Sequence, residues 1–401
     1  MRIAFVNPEY PSPSGQDQGG IATYTYSMAD ACARLGHRVY VLVKKGIVPR
    51  RLGASVTVHE FAPLPLRDPL SVVNRMINGD VYWERCYSAG VRKTLLDIYG
   101  AEPLDVVEVP EYNGLAYSLT SPLPFPVIIH FHTPTAVVDF YNAIKTSGRQ
   151  KQWYAFEAKA LANAAAFRCP SRALAREISA RYGIPDGRIT LIRHPFDTAP
   201  FDSIEKSRSP RCIDILFVGR LERRKGVDIV RDNIQKILSL DPRIRFTFAG
   251  EHSTGEMGTN RGAIERALSE NDRKRVYFLG PVKREELPVL YCRSNLLCFP
   301  SLFENAPYTV LEAMAGRLPI VGARCGGTAE LIRHNESGLL FNPDSHTELM
   351  ECIKRIIEDS AYGDALARQA YDDLKNGFQP EKIAAETMAF FSQAIAKFKR
   401  T

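Results

Sequence analysis

Residues 213–226 read IDILFVGRLERRKG. The β-rich run Ile213–Val218 is bounded by turn residues and gives way to a helical pattern, so the stretch is a strand, a turn and the start of a helix. Two cations punctuate it. Arg220 stands just past the strand and Lys225 at the opening of the next helix. A lone Arg or Lys is usually a solvated surface charge. At the carboxyl end of a strand in a doubly wound sheet it occupies the place where ligands bind.

The same alternation extends in both directions. Ile3–Val6, Val39–Val43, Val106–Val109 and Val127–Phe131 precede this strand, and Phe246–Ala249, Val276–Leu279, Leu296–Phe299 and Pro319–Val321 follow it, with helical patterns between them. Strands separated by helices predict parallel sheets. A chain of 401 residues exceeds what one core usually serves. Arg193–Arg211, with Pro195, Pro200 and Pro210, has the composition of a linker. The expectation is therefore α/β: two Rossmann-like doubly wound domains, residues 1–195 and 211–379, joined by a hinge at 196–210 and binding small molecules in the cleft between them. Ile383–Phe398 carries Met388, Phe391, Ile395 and Phe398 at helical spacing, so a helix within 380–401 is expected to pack back on the first domain.

With 45% hydrophobic and 24% charged residues, the composition is that of a globular protein and excludes disordered and repetitive classes. No apolar run reaches the roughly 18–20 residues of a spanning helix, and Met1–Tyr10 reads as a strand rather than a leader. The eight cysteines are scattered, with no C-x-x-C and no Cys/His cluster at zinc spacing, which fits a reduced cytoplasmic protein touching at most the inner face of a membrane. Of the net charge of +7, most lies early: residues 1–195 hold 22 Lys and Arg against 16 Asp and Glu. Such a surplus attracts nucleic acid, anionic membranes or phosphorylated ligands, and the motifs must choose among them.

Gly19-Gly20-Ile21 opens a helical pattern, Ala22–Leu35, after a loop that follows the first strand. Glycines let backbone N–H groups approach an oxyanion, and a helix N-terminus favours negative charge, so phosphate suits this turn; a flexible loop before an ordinary helix start is the plain alternative. The run is neither G-x-G-x-x-G nor a Walker loop. Further on, Pro300-Ser301-Leu302-Phe303-Glu304-Asn305-Ala306-Pro307 leads into a helix containing Glu312, with Pro307 suited to its first turn. Glu304 on the loop and Glu312 a turn or two inside can meet different hydroxyls of one ligand. Glu312 is flanked by Val310, Leu311, Ala313 and Met314, where an unpaired carboxylate is costly.

Together these segments resemble family 4 of the retaining glycosyltransferases, enzymes of the two-Rossmann GT-B architecture. The resemblance spans nearly the whole chain through Gly19-Gly20, F-V-G-R-L-x-x-x-K-G at Phe217–Gly226, P-S-L-F-E-N-A-P-Y-T-V-L-E-A-M-A at Pro300–Ala315 and G-G-T-A-E-L-I at Gly326–Ile332. It implies that Arg220 and Lys225 bind a donor diphosphate, that Gly19 and Gly20 face it, that Glu304 meets the transferred sugar and that Glu312 accepts ribose hydroxyls. His132, in His130-Phe131-His132-Thr133-Pro134, matches a family histidine that reaches the donor sugar; read alone, either histidine is a hydrogen-bonded structural residue. Many relatives carry E-G-F-G where this chain has Glu304-Asn305-Ala306-Pro307. Pro307 has no N–H, so amide donation moves to Tyr308 or Thr309. Gly280, Pro281 and Val282 are candidates for contact with the base.

The implied reaction moves a hexosyl unit from a nucleoside-diphosphate sugar, UDP- or GDP-linked, to an acceptor hydroxyl with retention. No D-x-D triplet is present, so no metal and no other cofactor is expected, and no nucleic-acid partner. The acceptor, expected on the basic first domain, is a glycan, a lipid-linked or a small molecule. Lys145–Lys159, which mixes basic residues with Trp153, Tyr154 and Phe156, is either a membrane-touching segment or an ordinary half-exposed helix. A nucleotide-sugar epimerase or a phosphorylase of the same architecture, and a non-catalytic nucleotide-sugar-binding module, remain as alternatives.

Overall fold

The computed structural model describes residues 1–8, 19–46, 55–66, 79–206, 208–209, 211–251, 254–255 and 258–400. They form two compact units. Unit one comprises Met1–Phe140, Ile144–Pro195 and Pro380–Thr401; unit two comprises Tyr141–Ala143 and Phe196–Gln379.

Unit one is built on seven parallel strands, β1 (Arg2–Val6), β2 (Arg38–Lys44), β3 (Val56–Phe61), β4 (Val106–Pro110), β5 (Val127–His130), β6 (Ala166–Cys169) and β7 (Ile189–Leu191), in the order β3-β2-β1-β4-β5-β6-β7. Strands β1, β4 and β5 are almost wholly apolar because helices cover both faces of a doubly wound sheet. The order reverses between β1 and β4, which makes that edge the switch point where such sheets bind ligands. The terminal helix Pro380–Phe398 belongs to this unit and packs on the helix Gly20–Arg34.

Unit two repeats the plan with β8 (Ile213–Val218), β9 (Ile244–Ala249), β12 (Val276–Gly280), β13 (Leu296–Phe299), β14 (Ile320–Ala323) and β15 (Leu339–Phe341), ordered β12-β9-β8-β13-β14-β15 and all parallel. A small antiparallel ribbon, β10 (Thr254–Gly255) with β11 (Gly258–Thr259), stands apart. The switch point lies between β8 and β13, so the loops after Val218 and after Phe299 leave the sheet side by side. The amphipathic helix Val227–Ser239 buries Val227, Val230, Ile234 and Ile237 in a core that includes Phe217, Phe246 and Phe248.

The structure departs from the sequence expectation in two ways. The stretch read as a hinge, 196–210, is packed into unit two as far as its described residues show: Phe196 and Phe201 are buried there, the Phe196 N–H donates to the Phe378 carbonyl at 2.8 Å, and the Tyr371 hydroxyl donates to Asp202 at 2.6 Å. Pro200 stands in the first turn of the short helix Ala199–Asp202 instead of marking a mobile tether, and Pro210 lies outside the described residues. Strands β3, β6, β7 and β15 were not expected. Two of them have only three residues, β3 is an edge strand with exposed positions, and β6 carries Arg168 in its centre.

Arg168 is fully buried. Its Nη1 lies 3.2 Å from Glu108 on β4 and donates to the Thr387 hydroxyl at 3.1 Å, while the Tyr24 hydroxyl donates to the other Glu108 oxygen at 2.6 Å. This network ties the helix Gly20–Arg34, the central strand β4, the outer strand β6 and the terminal helix together. Removing one partner of a buried ion pair leaves an uncompensated charge, so Glu108→Leu should destabilise unit one by about 3–5 kcal/mol in urea unfolding. The double variant Glu108→Leu/Arg168→Met should recover most of that loss. A single variant as stable as the parent would contradict this account.

Candidate functional site

In unit two the chain leaves β8 through Gly219, whose φ of 146° admits glycine readily, and reaches Arg220, an exposed side chain 3.6 Å from Glu222. A 3-10 turn, Arg223–Lys225, follows, so Lys225 precedes the helix rather than opening it. Gly226 then adopts φ 74°, and a Cβ there would lie 2.0 Å from the Pro300 carbonyl oxygen. Only glycine lets the two switch-point loops meet this closely.

They meet around Glu304. Its Oε1 lies 2.9 Å from Arg224 Nη1 and 2.5 Å from Lys225 Nζ; Arg224 Nη1 also donates to the Phe303 carbonyl, and Arg224 Nη2 to Glu222. Burial alone would raise the Glu304 carboxyl, but the Lys225 and Arg224 charges outweigh it and hold the group below its ordinary value. For Lys225 the balance runs the other way: burial lowers its ammonium despite Glu304. Arg224 and Glu222 escaped the sequence reading. The run Arg223-Arg224-Lys225 was the signal, since three successive cations beside a strand end cannot all face solvent on a one-turn helix.

The backbone of the Glu304 loop is held from behind by two glycines. The Gly327 N–H donates to the Glu304 carbonyl at 2.7 Å, Gly326 has φ 52°, and a Cβ on Gly327 would lie 1.5 Å from the Asn305 oxygen. The Asn305 side chain accepts the Ala306 N–H. Pro307 caps the helix Tyr308–Ala315 instead of entering its first turn, leaving Tyr308 and Thr309 as the first helical residues. Glu312, in the second turn, accepts from the buried Tyr291 hydroxyl at 2.8 Å, and burial raises its carboxyl above the usual range.

Gly280 ends β12 with φ 69°. Pro281 and Val282 line a groove of about 700 Å³ together with Tyr277, Leu279, Val289 and Arg293; Arg220, Lys225, Glu304 and Glu312 are not among its lining residues.

In unit one, Gly19 is the N-cap of the helix Gly20–Arg34 and both glycines are exposed; the loop before them, 9–18, lies outside the described residues. Tyr24 on that helix is ringed by three buried imidazoles, His130 at 4.4 Å, His132 at 5.3 Å and His194 at 5.1 Å between centroids. Burial above all, with Arg168 among the neighbouring positive groups, keeps all three well below the usual histidine range and therefore neutral. Their nitrogens lie within 4.8 Å of one another. Zinc at about 2.0–2.1 Å from each nitrogen calls for a tighter set, and the Arg168 charge opposes any cation. His132 and Thr133 donate their backbone N–H groups to the buried Glu111. His194, Glu108 and Glu111 were also missed; charged residues inside the Val-rich run V-V-E-V-P-E were the available signal.

The basic aromatic stretch is the helix Gly148–Ala160, and its aromatic residues face the unit: Phe156 is buried, the Trp153 indole N–H donates to Glu157 at 3.3 Å and the Tyr154 hydroxyl to Asp139 at 2.8 Å. Among the described residues no helix is long and apolar enough to cross a membrane. All eight cysteines are free thiols.

Comparisons with known proteins follow the same division. The family model described as Glycosyltransferase Family 4 matches residues 18–200, and that described as Glycosyl transferases group 1 matches residues 202–373. The chain is 25% identical to the glycogen synthase of Mycobacterium tuberculosis over 98% of its own length and 95% of the relative's. Among solved structures it resembles sucrose-phosphate synthase from Thermosynechococcus elongatus, with TM-score 0.78 and 20% identity over 99% of both chains. It also resembles HepE of Anabaena in complex with UDP-glucose, with TM-score 0.70 and 20% identity over 97% of this chain and 99% of that one.

The neutral histidines make unit one acid-sensitive. Their folded-state values are depressed, so the stability they contribute is complete above the unfolded value near 6.5 and is lost as pH falls below it, by up to about 1.4 kcal/mol per pH unit for each. Glu111 and Glu157, lifted to about 8 and about 7, hold protons in the folded state over the same range and offset part of this loss, so the urea midpoint should fall modestly between about pH 6.5 and 5, and His194→Asn should reduce the slope by about one proton. An unchanged slope in His194→Asn would contradict the burial of its neutral ring.

Proposed function

Because the chain belongs to the group 1, family 4 glycosyltransferases, we propose that it transfers a hexosyl unit from a UDP- or GDP-sugar to a hydroxyl of a glycan, lipid-linked or small-molecule acceptor, with retention and without a metal ion. The observation that carries the reading is the convergence of Arg220, Lys225 and Glu304 on the two loops that flank the switch point of unit two. Doubly wound sheets bind nucleotides at that position. The bound UDP-glucose of HepE favours uridine as the base.

The chemistry is a leaving-group problem. As the anomeric bond breaks, negative charge gathers on the β-phosphate while the sugar ring becomes oxocarbenium-like, so fixed cations stabilise the transition state more than the ground state. Arg220 is exposed and ready to meet the diphosphate, and Lys225 shares its charge between Glu304 and the ligand. Glu304, with the amides of Asn305, Tyr308 and Thr309, meets the sugar and phosphate, while Ala306, whose N–H Asn305 takes, and Pro307 shape the loop between them. Glu312 takes ribose hydroxyls while Tyr291 holds its other oxygen. By the same family resemblance His132 meets the transferred sugar and Gly19 and Gly20 meet the diphosphate. Gly280, Pro281 and Val282 are assigned to the base. Retention places the acceptor on the face the leaving group occupied, where the β-phosphate can take the acceptor's proton. The basic surplus of residues 1–195 suits an anionic acceptor.

A thermal-shift series with UDP, GDP, ADP and their glucose or mannose conjugates should single out one base, since a ligand at 100 times its dissociation constant stabilises by about 2.7 kcal/mol. Arg220→Ala should cut turnover of that donor by about a hundred- to a thousand-fold, the cost of about 2.7–4 kcal/mol for one preorganised donor. Wild-type turnover by Arg220→Ala would overturn the assignment, and loss of transfer in excess chelator with recovery on adding Mn²⁺ would overturn metal independence.

A further inference from the structure

The turn His132-Thr133-Pro134-Thr135 joins β5 to the helix Thr135–Tyr141, and Pro134 has no N–H, so the turn offers three backbone donors. Two of them go to one side chain. The His132 N–H lies 3.0 and 2.9 Å from the two oxygens of Glu111, and the Thr133 N–H lies 2.7 Å from Oε1. The third, on Thr135, is directed to a second carboxyl, Glu157, which also accepts from the Thr135 hydroxyl at 2.6 Å and the Trp153 indole. Both acids are only 2% exposed. They come from separate elements, Glu111 from the end of β4 and Glu157 from the helix Gly148–Ala160.

Burying a carboxyl is expensive, and burial lifts Glu111 to about 8 and Glu157 to about 7. A turn that needed only to be connected would not require two of them. What they supply is stiffness: every amide of the turn is committed, the His132 N–H sits between two oxygens, and above about pH 8, where Glu111 is ionised, its bonds become charge-assisted and fix orientation more strongly still. The residue whose backbone is pinned most tightly is the one whose ring packs against Tyr24.

We propose that Glu111 is a positioning residue for His132: its carboxyl, backed by Glu157, fixes the 132–135 turn so that the imidazole is presented in one orientation. The assignment rests on the reading that His132 meets the transferred sugar. Above about pH 8, where the carboxyl is ionised, glutamine is a poor substitute, because its one carbonyl oxygen can take the Thr133 N–H while its NH₂ opposes the His132 N–H.

The test is a double-mutant cycle read by UDP release from UDP-glucose, with amide exchange of the segment 131–136 as a measure independent of turnover. If Glu111 acts through His132, Glu111→Ala lowers kcat by about tenfold or more with KM changed less than about threefold, and Glu111→Ala/His132→Ala is no slower than His132→Ala alone. A structural role would instead multiply the two losses in full, and that result overturns the inference while leaving His132 in place. His132→Ala turning over as fast as wild type removes the reading on which the inference rests, and the inference with it. Glu111→Gln covers the case in which the alanine variant does not fold: at about pH 9, where wild-type Glu111 is ionised, the 131–136 amides should exchange about tenfold faster in the variant than in wild type while the rest of unit one keeps its protection. Unchanged exchange in Glu111→Gln overturns the proposal whether or not UDP-glucose is turned over.

Discussion

A single carboxylate shared by two cations holds the switch point of unit two in shape. Arg224 and Lys225 stand on the loop after β8 and Glu304 on the loop after β13, so neither loop can relax without stranding a buried charge. The parallel pairing of β8 with β13 places the loops side by side, Gly226 lets their backbones touch, and the ion pairs then fix the register of side chains at the rim. Arg220 is not locked in this way. It is exposed, as Arg223 is, and its nearest acid, Glu222, is already engaged by Arg224 at 2.8 Å, so its charge faces outward.

Unit one reaches a comparable rigidity with a different charge balance. Glu108 neutralises Arg168 in the sheet interior, the Tyr24 hydroxyl takes the remaining Glu108 oxygen, and three imidazoles pack on the Tyr24 ring without protons to spare. An added proton would sit beside Arg168 in a medium that screens poorly, which is why burial and that guanidinium both push the rings toward neutrality.

How much of this was legible follows from how apolar each segment is. Leu296–Phe299 is an uninterrupted apolar run and Ile213–Val218 is broken only by Asp214, and the observed limits of both are those expected from the sequence. Ala166–Cys169 hid because a strand with arginine at its centre reads as a surface segment, and only the distant Glu108 and Thr387 make burial of that charge tolerable. The prolines of 196–210 suggested a linker because periodicity ignores single anchors, yet Phe196 and Phe201 are enough to bind the stretch to unit two. At the candidate site, Lys225 and Glu304 stood out by motif, whereas Arg224 became visible only when two loops remote in sequence were brought together.

The departure from the family pattern at Glu304-Asn305-Ala306-Pro307 has a structural answer. Where a glycine-rich loop would turn its amides outward, Asn305 folds its own side chain onto the Ala306 N–H, and Pro307 supplies none. Gly326 and Gly327 take over the need for flexibility from the opposite side, with the Gly327 N–H fastened to the Glu304 carbonyl, so the 304–307 backbone keeps its course without glycines of its own. The next donors in the chain are then at the start of the helix Tyr308–Ala315, where the first N–H groups of any helix lack intrahelical acceptors and the dipole favours an anion. After Pro307 the next backbone donors along the chain therefore belong to Tyr308 and Thr309, and the departure sets Asn305 where the E-G-F-G pattern has glycine and Ala306 where it has the larger phenylalanine.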